Sequence, residues 1–214
     1  MSRPRLVVLC SGGGRTLDNL AEQIEGGRLE AEIVLVVCSR SDCGAAEKAR
    51  RRGFLTLVIG PATDPDRERR ERRLLGAILE ARPDLVVLAG WLQLLPVPPE
   101  LEGRVLNIHP ALLPAFGGPG MYGMRVHRAV VEAAPPISGC TVHFATEEYD
   151  AGPVVLQEAV PVLPGDTPEA LAARVFEAEK RVLPEALAHL LEGRARWHQG
   201  RVLWGPPVPP GEPA

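Results

Sequence analysis

The sequence predicts an α/β fold: a Rossmann-like, mainly parallel sheet flanked by helices, with an antiparallel C-terminal addition. Three observations carry this. Short apolar runs of strand length at residues 5–10, 31–38, 54–59 and 85–89 alternate with segments whose apolar residues recur at helical spacing. The first run passes through Ser11-Gly12-Gly13-Gly14-Arg15-Thr16 straight into a helix. Two later runs, 138–144 and 154–162, flank a turn at 146–153 and read as a hairpin-like antiparallel pair with Asp150 at its tip.

Each element has its local reason. Residues 5–10 (RLVVLC) form the first strand, and Leu17, Leu20, Ala21 and Ile24 give the following helix its apolar stripe, closed by Gly26-Gly27. The second strand spans 31–38, a helix runs from Gly44 to Arg52, and 54–59 is the third strand. Asp64-Pro65-Asp66 opens a charged helix to Ala81, with Leu74, Leu75, Ile78 and Leu79 as its apolar face and the Arg-Glu run 67–73 as a solvated face. Residues 85–89 are the fourth strand, and Gly90-Trp91-Leu92-Gln93-Leu94-Leu95 follows it. After a glycine-rich loop at 115–123, residues 124–133 are helical. Asp166 or Thr167 caps a long helix with Pro168 in its first turn; Pro184 is expected to kink or divide it, and Gly193 ends it. Its apolar face comprises Leu171, Val175, Phe176, Val182, Leu183, Leu187, Leu190 and Leu191. Trp197 and Val202-Leu203-Trp204 are expected in a last edge hairpin.

The length of 214 residues suits one domain, 1–204, with a Pro-rich tail at 205–214 expected to be extended or disordered. A formal net charge of -3 gives no reason to expect nucleic-acid or membrane partners. No apolar run reaches the roughly 18 residues of a membrane span, and no signal peptide precedes the first strand, so a cytoplasmic location is expected. Cys10, Cys38, Cys43 and Cys140 lack CxxC spacing and read as buried or half-buried free thiols rather than disulfide or metal groups.

The chemistry centres on Val105-Leu106-Asn107-Ile108-His109-Pro110-Ala111-Leu112-Leu113-Pro114, a short strand stopped by prolines. Alternation puts Asn107 and His109 on one face, at the carboxyl end where α/β sheets bind ligands. An amide donor and an imidazole suit a tetrahedral oxyanion formed when a nitrogen nucleophile attacks a carbonyl-type carbon. Asp150 is the candidate that takes the amine's proton through water and keeps the imidazole charged. The competing reading is turn chemistry, with Asn, His and Asp tying down loops beside proline. The glycine loop reads as a phosphate-monoester site or as a tight strand-to-helix turn; it lacks the Gly-Lys-Ser/Thr ending of a Walker loop and the third glycine of a dinucleotide fingerprint. His143 reads as a supporting residue, His127 as helix surface or loop support, and His189 and His198 as incidental. No cluster has metal-ligand spacing, so no metal is expected.

Leu106-Asn107-Ile108-His109-Pro110 with Leu112-Leu113-Pro114, the distal Asp150-Ala151-Gly152-Pro153 and the leading Ser11-Gly12-Gly13-Gly14 together resemble the folate-dependent formyltransferases, over about residues 5–204. The glycine loop and compact length are most similar to members that formylate glycinamide ribonucleotide. The resemblance implies a reaction in purine biosynthesis: the ribonucleotide amine attacks the formyl carbon of the co-substrate 10-formyltetrahydrofolate, and tetrahydrofolate leaves. It implies Asn107, His109 and Asp150 as catalytic residues, Gly14, Arg15 and Thr16 as the substrate-phosphate loop, and Glu179 as a carboxylate that holds the substrate. It implies folate contacts from Arg67, Leu92, Gln93, Leu94, Leu95, Asn107, Thr146, Glu147, Glu148, Tyr149 and Asp150. Its partners would be small molecules, with a homodimer left open. The chain departs from the family pattern at Ala111, where Ser is frequent, at Thr16, where Asn is common, and at Gln93, which replaces a basic residue of some members. The loop at 116–122 is longer and richer in glycine than in the shortest members, and only a lid role is carried onto it.

Two other readings compete. A 10-formyltetrahydrofolate hydrolase would use the same trio with water as nucleophile, but that type carries a preceding regulatory domain, which is not expected here. A non-catalytic nucleotide- or folate-binding module would bind without turnover. A methionyl-tRNA formyltransferase would need a basic C-terminal domain, which the Pro-rich tail is not.

Overall fold

The computed structural model describes residues 2–207, so most of the expected Pro-rich tail, 208–214, lies outside the described residues. The chain divides into two compact units, one ending at Leu106 and the other beginning at Asn107. The fold class is the expected one, with parallel strands in the first unit and an antiparallel addition in the second.

The first unit contains β1 (Arg5–Cys10), α1 (Arg15–Glu25), β2 (Glu32–Cys38), α2 (Gly44–Arg51), β3 (Thr56–Val58), α3 (Arg67–Glu80) and β4 (Leu85–Leu88). Its strands lie in the order β3-β2-β1-β4, all parallel. Leu6, Val7, Val8, Leu9 and Cys10 are fully buried, as a central parallel strand covered on both faces requires. Each such Leu or Val stabilises the fold by about 1.5–3 kcal/mol before its ordering cost. The chain leaves β1 toward β2 on one side, while β4 lies on the other. The order therefore reverses between β1 and β4, the kind of switch point where open α/β sheets bind ligands. The third strand is shorter than the expected 54–59, because only Thr56, Leu57 and Val58 pair with β2.

Asp66 caps α3, its side chain accepting from the Arg69 amide at 2.7 Å. Leu74 and Ile78, one turn apart, are the residues of α3 that are buried. Leu79 is 39% exposed, which corrects its expected place on the apolar face: one residue beyond Ile78 is a 100° rotation away from the stripe. The arginine run is largely solvated, but it also holds the buried Asp64, which Arg73 and Arg69 both engage.

β5 (Val105–His109) begins in the first unit and ends in the second. The second unit continues with α4 (Met124–Ala133), β6 (Ile137–Phe144), β7 (Val154–Pro161), α5 (Pro168–Leu191), β8 (Ala195–His198) and β9 (Arg201–Trp204). β6 and β7 form the expected antiparallel hairpin, and α5 packs on both. Thr167 caps α5, accepting from the Ala170 amide at 3.1 Å. Pro184 does not divide α5, which runs through it, with Pro184 itself buried on the core face beside Leu183 and Leu187. Phe176, Leu190 and Leu191 are only half-buried. The last hairpin pairs β8 with β9 as a separate two-stranded sheet, not as an edge of the larger one, and Trp197 anchors it edge-on to Phe144 with ring centroids 5.1 Å apart. His127 is buried on α4, not on its surface. All four cysteines are free and buried, and burial pushes the Cys140 thiol up to about 12. No helix among the described residues is long and apolar enough to cross a membrane.

Candidate active site

In the first unit, two loops leave the carboxyl ends of β1 and β4 and are tied together. The Ser11 amide donates to the Gly90 carbonyl at 3.0 Å, and the Leu92 amide donates to Ser11 Oγ at 3.2 Å. Gly14 precedes α1 in the left-handed region, φ 73, and no side chain caps the helix there. The first-turn amides of α1 are thus left uncapped by protein side chains, the condition for anion binding at a helix N-terminus. Gly14 is required twice over: a Cβ there would also stand 2.7 Å from the Ala45 Cα. α2 supports the loop from below, the Ala45 amide donating to the Gly12 carbonyl at 3.0 Å. Asp18, in the first turn of α1, would oppose an anion, but Lys48 at 2.6 Å and Arg52 at 3.1 Å neutralise it. Burial would raise the Asp18 carboxyl, and these two cations outweigh it and hold the group below the usual range.

In the second unit, Asn107 and His109 extend from one face of β5 and meet the Asp150 carboxylate, which hangs on the turn after β6. Asn107 Nδ2 donates to Asp150 Oδ1 at 3.3 Å, and His109 Nδ1 lies 3.5 Å from Asp150 Oδ2. The Gly118 amide donates to Asp150 Oδ2 at 2.9 Å. His109 Nε2 sits 2.8 Å from the Phe116 carbonyl, and His143 Nε2 sits 3.6 Å from Asp150 Oδ1. Asp150 adopts a left-handed backbone, φ 56, which Asp tolerates better than most residues.

The partners fix the proton positions. His143 Nδ1 faces the Phe144 carbonyl at 2.9 Å, so it carries the proton and donates. With that proton on Nδ1, Nε2 is the acceptor of the ring, and Asn107 Nδ2 donates to it at 3.0 Å. The Asn107 amide is oriented by this pair: turned over, its oxygen would face a carboxylate and an imidazole lone pair. For His109, burial pushes the imidazole below its ordinary value, against the Asp150 charge and the Phe116 carbonyl, which favour the charged ring. For Asp150, burial would raise the carboxyl, but the His109 ring and the Gly118 amide hold it below the usual range; His143, whose Nε2 accepts from Asn107, has no proton to offer it. The cluster thus pairs an ionised carboxylate with an imidazole poised to gain a proton, flanked by an oriented amide. That is the equipment for stabilising an oxyanion and moving a proton.

A family described as formyl transferase matches residues 4–187. The chain belongs to the formyl transferase family. This formyltransferase is 41% identical over 203 residues to the chloroplastic phosphoribosylglycinamide formyltransferase of Arabidopsis thaliana, covering 94% of this chain and 70% of the plant protein. The crystal structure of glycinamide ribonucleotide transformylase 1 from Symbiobacterium toebii superposes with a TM-score of 0.85 at 38% identity, over 94% of each chain. A formyltetrahydrofolate deformylase from Pseudomonas syringae shares the fold at 26% identity, TM-score 0.82, with 95% of this chain and 66% of that one covered.

Within the formyltransferase, the expected residues fall into both units. Gly14, Arg15 and Thr16 form the N-terminus of α1, Arg15 exposed and Thr16 half-buried. Arg67 opens α3, exposed, with its Nε 2.7 Å from Glu71. Leu92 is 47% exposed, Gln93 and Leu94 are half-buried, and Leu95 is buried. In the second unit, Asn107, His109 and Asp150 come together, while Thr146 bonds the backbone of Glu148, and Glu147, Glu148 and Tyr149 are exposed. Glu179 is half-buried on α5, close enough for its charge to raise the Cys140 thiol. Sequence reasoning does not single out two residues of the second unit, Thr141 and Gln157, which tie residues 111–113 to the hairpin. The alternation Thr141-Val142-His143 holds a signal for the first, because it sets Thr141 on the same face as His143. Among the described residues, no group of three or more His, Cys, Asp or Glu could hold a metal ion.

Proposed function

We propose that this formyltransferase moves the formyl group of 10-formyltetrahydrofolate onto the amine of glycinamide ribonucleotide in de novo purine biosynthesis. The observation that carries the reading is the meeting of Asn107, His109 and Asp150 in one polar cluster of the second unit. The amine nitrogen attacks the formyl carbon, and the carbonyl π electrons move onto oxygen. Asn107 Nδ2–H and His109 Nδ1–H, present in the charged ring, donate to that oxyanion, while Nε2–H stays on the Phe116 carbonyl. The 3.3 Å Asn107–Asp150 contact is longer than the 3.0 Å Asn107–His143 contact, so it is the one the oxyanion exchanges. The attacking nitrogen then bears a surplus proton, which passes through water to Asp150. The carbon–N10 bond breaks as the oxyanion collapses, Asp150 returns the proton through water to N10, and tetrahydrofolate departs. No covalent enzyme intermediate is needed.

The substrate phosphate is assigned to Gly14, Arg15 and Thr16, supported by the left-handed glycine and the uncapped first turn of α1. Glu179 is assigned to the rest of that substrate. Arg67, Leu92, Gln93, Leu94, Leu95, Asn107 and residues 146–150 are assigned to the folate; the exposed Leu92 favours a flat apolar ligand. Residues 1–204 are read as a single functional domain, supported by a family match that runs across the boundary at Leu106. The proposed partners are these two small molecules, in the cytoplasm, with neither nucleic acid nor membrane, and the net charge of -3 favours that. Light scattering separates a monomer from a homodimer.

A second reading, hydrolysis of the formyl folate by water, is favoured by the shared fold of the deformylase. Formylated ribonucleotide formed one-to-one with tetrahydrofolate supports transfer. Formate release at the same rate without ribonucleotide supports hydrolysis.

A further inference from the structure

Gln157 on β7 stands directly opposite Thr141 on β6 in the hairpin register. Its Nε2 donates to the Thr141 hydroxyl at 2.8 Å and to the Leu113 carbonyl at 3.0 Å, so both amide protons are used. Thr141 Oγ1 donates to the Ala111 carbonyl at 2.7 Å and accepts from the Leu113 amide at 3.0 Å, so the hydroxyl is saturated as well. The network grips backbone groups of residues 111–113 alone. That segment joins His109, at the end of β5, to Phe116 and Gly118, whose backbone groups bond His109 Nε2 and Asp150 Oδ2. The Leu112 side chain fits against the strand because residue 139 is glycine: a Cβ there would stand 2.7 Å from Leu112 Cδ2.

We infer that Gln157 is a positioning residue for the reaction: through Thr141 and residues 111–113 it sets the Phe116 carbonyl against His109 and the Gly118 amide against Asp150. Gln157 touches none of the catalytic trio in this network. Its action runs through backbone geometry: Thr141 is fully buried with its hydroxyl saturated, and Gln157, exposed on the outer strand, closes the network with both of its amide protons. The inference rests on the formyltransferase reading for its kinetic consequence only.

A residue that merely stabilised the fold would change melting temperature and nothing else. A positioning residue changes the proton affinity of His109. The Phe116 carbonyl favours the charged imidazole, so losing that contact moves the His109 titration to lower pH. The other titratable groups facing His109 are Asp150, from the turn after β6, and His143, from β6; neither is altered by the substitution.

The test compares wild type with Gln157→Leu, Thr141→Val and Thr141→Ser. The His109 imidazole is titrated by NMR, and kcat and KM are measured against pH with both substrates. Gln157→Leu is expected to lower kcat by about 10-fold or more, the scale of a misplaced reacting geometry, with little change in either KM. It is expected to shift the His109 titration, and the alkaline limb of kcat, to lower pH. Thr141→Val should reproduce both effects, and Thr141→Ser, which keeps the hydroxyl, should restore wild-type values. A folded Gln157→Leu with unchanged titration and pH profile overturns the inference, however much its melting temperature falls. If Gln157→Leu does not fold, the two Thr141 variants decide by the same readouts. Absence of wild-type turnover would sink the proposed reaction and not this inference, because the NMR titration requires none.

Discussion

Asn107 Nδ2 donates to His143 Nε2 at 3.0 Å, and that nitrogen can accept because the other ring nitrogen of His143 is committed to the Phe144 carbonyl at 2.9 Å. The backbone of β6 thereby determines which way the Asn107 amide faces. His143→Ala should free the amide to turn over and present oxygen where a donor is needed. Expected is a fall in kcat of about 10–100-fold with KM for either substrate nearly unchanged, measured by steady-state kinetics. An equal loss in kcat and gain in KM would place His143 in substrate binding instead.

In the proposed reaction, His109→Ala and Asn107→Ala each remove a donor to the developing oxyanion. Each should lower kcat by about 100-fold or more. The double variant should fall well short of the product of the two losses, because the groups act on one oxygen.

The rate should depend on pH on two sides. The proposed reaction requires Asp150 ionised, and its carboxyl is held below the usual range, so the acid limb lies low. His109 must gain a proton, and burial holds it below the ordinary imidazole value, so activity falls as pH rises through that depressed value. The two values belong to the coupled pair. Stability has the opposite dependence on His109. A depressed imidazole contributes stability that is fully present above its unfolded value, about 6.5, and is lost as pH falls through the folded value. Replacing His109 by Asn should therefore flatten that part of the stability curve, as checked by urea unfolding across pH.

The glycine loop offers an internal control. Gly14→Ala meets the Ala45 backbone and a positive φ, so it should destabilise the fold by about 1–3 kcal/mol and raise KM for the phosphate-bearing substrate. At Gly13 a Cβ would meet open space, and φ is not positive, so Gly13→Ala should leave stability nearly unchanged by chemical denaturation.

Asp166 and Arg174 join the start of α5 through two short hydrogen bonds, 2.7 and 2.9 Å. The Arg174 guanidinium holds the Asp166 carboxyl down at about 2. A depressed carboxyl contributes stability that is present above its unfolded value and lost as pH falls through the folded one. Asp166→Asn should thus lower the melting temperature at neutral pH, and the difference should close between about pH 4 and pH 2.

Most of the fold was legible in the sequence because the deciding signals are local. β1 is an unbroken apolar run since both its faces are covered, and Gly26-Gly27 and Thr167 mark helix ends by their own chemistry. Leu79 misled because its neighbour Ile78, and not Leu79, shares the stripe of Leu74. At the site, the trio was legible from strand alternation and from the turn that carries Asp150. The direction of the Asn107 amide was not, since it depends on His143, 36 residues away in the chain. The Gln157 network was equally hidden, because its contact with Leu113 spans 44 residues and is set by the register of the hairpin.

The central claim is tested most directly by incubating the purified chain with 10-formyltetrahydrofolate, with and without glycinamide ribonucleotide, beside Asp150→Asn. Expected is tetrahydrofolate that forms only when the ribonucleotide is present, one-to-one with formylated ribonucleotide, and a rate reduced by orders of magnitude in the variant. Folate turnover at the same rate without the ribonucleotide, or full activity in Asp150→Asn, would contradict it.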